Sequence, residues 1–154
     1  MSINKIIIAA VISLGLNMPL MAGNTLSEAM IVSAKKYIKG ITAQELKKKI
    51  DNEDDVYMLD IREPYMRIEG NIEGMENIEI ARGLLEFNAP SEIKDKKAFI
   101  VVYYRSGKGA ILAAKMMKEE LHYTNVTYLV GGIGAWLEAG YSIFNNFGEL
   151  KLAD

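Results

Sequence analysis

The residues of this 154-residue chain best suited to chemistry sit together in one short run, Tyr104-Arg105-Ser106-Gly107-Lys108-Gly109. Before it, Phe99 to Tyr103 is continuously apolar, as expected of a strand buried on both faces. After it, Lys108 to Leu121 has the composition of a helix. A strand, a tight polar loop and a helix in succession form an anion-binding device. The loop N–H groups converge at the helix N-terminus, where the macrodipole adds roughly half a positive charge. Arg105 and Lys108 flank that cradle, either holding a small anion with the loop amides or pointing to solvent. Gly107 permits the positive φ or close packing that such a turn requires.

The elements that must carry this loop follow from the apolar pattern. Strands are expected at Tyr57–Leu59, Ile78–Ile80, Phe99–Tyr103 and Val126–Leu129. Helices are expected at 64–68, 83–87, 108–121 and 133–139. Alternation of this kind predicts an α/β fold with a mostly parallel central sheet and helices on both faces. Such sheets bind ligands at the carboxyl ends of their strands, where Tyr104 to Lys108 falls. Tyr103 and Tyr104, being adjacent, should face opposite sides of the sheet. Upstream, apolar residues at helical spacing from Asn24 to Lys39 predict an N-terminal helix ended by Gly40. Thr42-Ala43-Gln44-Glu45 has the form of a capping box that starts a second helix, running to about Ile50.

Three ordered segments carry a resemblance to a known family. Tyr57-Met58-Leu59-Asp60-Ile61-Arg62-Glu63-Pro64 is a buried strand ending in Asp-x-Arg, followed by Gly70-Asn71-Ile72-Glu73-Gly74. The loop follows, and then Val130-Gly131-Gly132-Ile133-Gly134-Ala135-Trp136. In this order and over roughly residues 41–143, the chain resembles the rhodanese-like sulfurtransferases. The resemblance implies a three-layer rhodanese-like α/β fold and makes Tyr104 to Gly109 the active-site loop. It also implies that Asp60 and Arg62 organise the loops around that site.

The same resemblance exposes three departures. Tyr104 occupies the position of the family's catalytic cysteine, Gly109 that of a second loop arginine in many members, and Asn71 that of a common histidine. The first decides the chemistry, because the chain contains no cysteine at all. Sulfur transfer needs a thiolate that holds a persulfide. A phenol, with an unperturbed pKa of about 10, is neutral at pH 7 and cannot carry the labile S–S bond. A phosphatase reading fails in the same way: related loops need Cys followed six positions later by Arg, and here Tyr104 is followed by Ala110.

Two functions therefore stand side by side. In one, the loop binds a sulfur oxyanion, a polysulfide or the persulfide of a partner protein without transforming it. In the other, the Tyr104 ring plugs the old pocket and the chain is a structural or protein-interaction module. A third reading keeps the sulfurtransferase activity with a thiol supplied by a partner. No cofactor or metal is expected.

The rest of the chain narrows the setting. Met1 to Ala22 has the form of a secretory signal peptide, with Lys5, an apolar run from Ile6 to Leu16 and a cleavage site after Ala22. The run is shorter than the ~20 residues a spanning helix needs. The expected domain plan is therefore a signal peptide at 1–22, an N-terminal helix at 23–40, a rhodanese-like domain at 41–146 and a tail at 147–154. It implies a periplasmic or secreted protein with no stable membrane anchor. A net charge of −2 excludes nucleic-acid binding by bulk electrostatics. Asp51 to Asp55 reads as a solvated acidic turn, since it lacks the ligand spacing and glycine of a calcium loop. His122, the single histidine, reads as a surface or capping residue, and Trp136 as core.

Overall fold

The computed structural model describes residues 25–74 and 76–152; the proposed signal peptide lies outside them. The elements run α1 (Leu26–Ala34), β1 (Gly40–Ile41), α2 (Ala43–Asp51), β2 (Tyr57–Asp60), α3 (Pro64–Arg67) and β3 (Glu76–Glu79). A 3₁₀ turn (Arg82–Leu84) leads into α4 (Leu85–Glu92), then β4 (Ile100–Tyr103), α5 (Gly107–Glu119), β5 (Val126–Leu129) and α6 (Gly132–Glu138). A hairpin of β6 (Ile143–Asn145) and β7 (Gly148–Leu150) closes the described chain.

Five strands form one parallel sheet in the order β1-β5-β4-β2-β3. All four residues of β4 are buried, which is why its sequence is unbroken Ile-Val-Val-Tyr. Side chains alternate between two cores. Leu59, Ile61, Ile100, Val102 and Tyr128 join Ala34, Leu85, Ala89, Ala110 and Ala114 on the face covered by α1, α4 and α5. Met58, Val101, Tyr103 and Leu129 join Leu46, Ile133 and Trp136 on the face covered by α2 and α6. This is the three-layer α/β arrangement expected from the sequence.

The capping box at Thr42 forms as expected: Glu45 N–H donates to Thr42 Oγ1 at 3.2 Å, and Thr42 N–H donates to Glu45 Oε2 at 2.8 Å. Several boundaries differ from the pattern, among them β3, which runs over Glu76–Glu79 rather than Ile78–Ile80. The N-terminal helix begins under a second capping box, Thr25 with Glu28, and stops at Ala34 rather than running to Lys39. The chain is instead drawn into the sheet: Gly40 and Ile41 pair with Tyr128 and Leu129, and Thr127 Oγ1 donates to the Lys39 carbonyl at 2.7 Å. The helix expected over 83–87 extends to Glu92 through Pro90. Its terminal carbonyls are held by tertiary contact, since the buried Tyr123 hydroxyl lies 2.8 Å from the carbonyl oxygens of both Ala89 and Ile93. Residues 148–150, read as tail, form β7.

Trp136 is core and donates from Nε1 to the Ser142 carbonyl at 2.8 Å. His122 is exposed and takes a positive φ of 60° just beyond α5, a helix-ending conformation. In the acidic turn, Asp54 pairs with Lys49 at 2.9 Å.

Candidate functional site

The strand order reverses between β4 and β2, so their carboxyl ends are the topological switch point at which an open α/β sheet binds ligands. The loop Tyr104 to Ser106 leaves β4 at that point and enters α5 at Gly107. Ser106 takes the N-cap position without donating or accepting a side-chain cap bond. The first N–H groups of α5 are therefore left without an intrahelical or capping partner, as an anion cradle requires.

The backbone of the loop is held from behind by the turn into α6. Ile133 N–H donates to the Tyr104 carbonyl at 3.0 Å, and Gly134 N–H to the Arg105 carbonyl at 3.3 Å. That approach is possible because Gly131 and Gly132 take φ of 75° and 65°. A Cβ on Gly132 would stand 2.3 Å from the Tyr104 carbonyl oxygen, closer than any real contact. Gly107 serves the turn by close packing and not by a positive φ: a Cβ there would stand 2.9 Å from the Gly131 amide nitrogen. The Gly-Gly segment and the loop thus form one mechanical unit.

Within the loop, Arg105, Ser106 and Lys108 are exposed, whereas Tyr104 is half-buried. Neither Arg105 nor Lys108 enters an ion pair among the described residues. Tyr104 packs against the core beneath α5, on the opposite side of the sheet from Tyr103. Its ring lies over Gly109, where an added Cβ would meet Cδ1 at 3.1 Å and Cγ at 3.4 Å.

Asp60 and Arg62 form a buried pair at the end of β2, with Arg62 Nη2 2.6 Å from Asp60 Oδ2. The carboxylate also accepts from the Arg62 backbone N–H at 2.9 Å. Arg62 then donates to the carbonyls of Met66 (3.2 Å) and Gly70 (2.7 Å) and to Asn71 Oδ1 (2.9 Å). Burial works against the Arg62 charge, but the hydrogen bond and charge of Asp60 outweigh it and raise the guanidinium pKa. Asn71 passes the network on, donating to Glu79 at 2.6 Å, and Arg67 donates to the same carboxylate at 3.0 Å. None of these polar contacts reaches residues 104–109. The pair fastens residues 66–71 beside the crevice and meets the loop's strand through Tyr103, whose ring centre is 5.6 Å from Arg62 Cζ. Burial, and then the neighbouring Asp60 charge, push the Tyr103 phenol well above its ordinary pKa.

A cavity that the pattern of the sequence did not announce lies against residues 106–108 of the loop. It has a volume of about 280 Å³ and lies between α1, the start of α5 and the end of β5. No group of acidic or histidine side chains suited to a metal ion occurs among the described residues.

The sequence model of the rhodanese-like domain matches residues 42–139, from the cap of α2 to the end of α6. The chain belongs to the rhodanese-like domain family. Among solved structures, the rhodanese-like chain is similar to a Rhodopseudomonas palustris protein of unknown function, a possible tyrosine phosphatase. Their identity is 28%, the TM-score is 0.68, and 76% of this chain and 92% of that one are covered. It shares its fold with the polysulfide-sulfur transferase of Wolinella succinogenes, at 22% identity and a TM-score of 0.64, over 82% of this chain and 88% of that one. The fold also recurs in the thiosulfate sulfurtransferase of Pseudomonas aeruginosa, at 18% identity and a TM-score of 0.65. That similarity covers 75% of this chain and 22% of the Pseudomonas chain. No curated protein matches. This rhodanese-like chain contains no cysteine, so its own loop cannot form a cysteine persulfide.

Proposed function

We propose that this protein is an exported, non-catalytic member of the rhodanese-like family that binds a sulfur-containing anion, free or as the persulfide of a partner protein, through residues 104–109. The observation that carries the reading is the uncapped start of α5 beside two exposed cations, Arg105 and Lys108, that no carboxylate of the described chain neutralises. An anion in that position gains the partial charge of the helix end and charge-assisted hydrogen bonds from the guanidinium. Loss of the nucleophile removes turnover and leaves recognition. Export rests on the signal-peptide pattern of residues 1–22.

Calorimetric titration with thiosulfate and with polysulfide tests this reading. Saturable binding that Arg105→Ala weakens supports it, and no heat from either ligand rejects it.

The packing of Tyr104 over Gly109 and onto the core favours a second reading, in which the ring closes the cradle and the protein is an interaction module. On that reading Tyr104→Ala creates thiosulfate binding that the unmodified protein lacks. On the first, binding is present before the substitution.

A further inference from the structure

The helix α1 lies outside residues 42–139, the part of the chain shared with the family. It is nevertheless part of the domain, packed on α5 with Ala34 buried and Ile31 against the core, and Ile38 just beyond it is buried too. Its docking creates the cavity of about 280 Å³ beside the loop. The floor is apolar: Ile111 and Tyr128 are buried and Ile31 is half-buried. The rim is polar and exposed, formed by Ser106 and Lys108 of the loop and by Lys35 at the end of α1. Lys35, like Lys108, enters no ion pair among the described residues.

The geometry points to α1 as the specificity element of the site: Lys35 supplies a further cation and Ile31 an apolar wall, so the preferred ligand is a small anion with an apolar body. The inference rests on the loop reading for its anionic end and adds to it the class of molecule attached. A compact oxyanion uses the cations and leaves the apolar floor empty. An elongated anion, with its charge between Lys35 and Lys108 and its chain along Ile31, Ile111 and Tyr128, uses both. At about 280 Å³ the cavity falls just below the usual range of ligand pockets, about 300 to 1,000 Å³, and so suits only a small molecule. Each methylene buried on such a floor strengthens binding about fourfold.

Titration with methanesulfonate, hexanesulfonate and thiosulfate tests this, using the full chain, Lys35→Gln, Ile31→Ser and Arg105→Ala. Hexanesulfonate is expected to bind at least about tenfold more tightly than methanesulfonate. Lys35→Gln should weaken hexanesulfonate several-fold, and Ile31→Ser should erase most of the chain-length advantage while leaving thiosulfate binding in place. Lys35 is exposed, so its variant reads binding without a folding defect. If thiosulfate binds in an Arg105-dependent way but chain length and Lys35 make no difference, the role of α1 is overturned and the loop reading survives. If none of hexanesulfonate, thiosulfate and polysulfide binds, both fall.

Discussion

The ring of Tyr104 lies over the bare Cα of Gly109, with only 3.1 Å between its Cδ1 and the place a Cβ at residue 109 would occupy. Two residues that the resemblance marks as departures from the family's loop are thus in contact with each other. The Tyr104 ring packs this closely because the residue five positions on, at the first turn of α5, has no side chain.

This coupling is measurable. In the unmodified protein Gly109→Ala combines a gain of roughly 0.5–1 kcal/mol from removing a helical glycine with the cost of moving the Tyr104 ring by a few tenths of an ångström. The net change in stability should be near zero. In a Tyr104→Ala background the steric cost disappears and the same substitution should stabilise by about 0.5–1 kcal/mol. Urea unfolding of the four proteins in the cycle checks this; equal effects in both backgrounds would show that the ring and residue 109 do not interact.

Tyr104→Ala by itself removes a ring that is half-buried. Full burial would place the loss at about 3–5 kcal/mol, so roughly half, near 2 kcal/mol, is expected. A chemical-denaturation midpoint that does not move would place the ring in solvent.

Tyr104→Cys should give a reactive thiol, because it would sit at the N-terminus of α5 beside Arg105. Its pKa should fall below the usual value of about 8.5, read from the pH dependence of alkylation. On incubation with thiosulfate the new thiolate should attack the sulfane sulfur and break its bond to the sulfonate sulfur, releasing sulfite, so that the variant gains one sulfur atom and the wild type none, detectable by intact mass. A thiol that titrates at or above the usual value would mean that the loop no longer presents a positive field.

Asp60→Asn leaves the Arg62 charge buried with its main counter-charge gone. Removing one partner of such a pair costs about 3–5 kcal/mol, and thermal or urea unfolding should show a loss in that range. The double change Asp60→Leu with Arg62→Met should cost less than Asp60→Asn, since no isolated charge remains. A double variant less stable than the single would refute this account of the network.

Tyr103 is neutral when folded and its pKa is raised by burial and the nearby Asp60 charge. Its contribution is complete below the unfolded phenol pKa of about 10 and declines as pH rises above that value, because only the unfolded chain ionises readily. Tyr103→Phe should therefore flatten the fall in stability between about pH 9.5 and 11 relative to the wild type. Parallel pH profiles would show that the phenol does not contribute to alkaline unfolding.

Much of the architecture was legible in the sequence. Continuous apolarity marked β4, the Thr42 and Glu45 pair marked α2, and the three ordered motifs marked the loop, because each depends on residues close together in the chain. The absence of cysteine alone determined that no protein persulfide can form at Tyr104. What lay beyond the sequence involves residues far apart. The early end of α1 depends on β5 capturing Gly40 and Ile41, and the persistence of α4 through Pro90 depends on Tyr123. The contact between Tyr104 and Gly109, the support of the loop by α6, and the placement of Lys35 beside Lys108 all arise only when α1, α5 and α6 pack on the sheet. Local pattern specifies which segments become helix or strand through short-range sterics and burial. Which side chains then share a cavity is decided by long-range packing, in which each position answers to neighbours that the local pattern does not name.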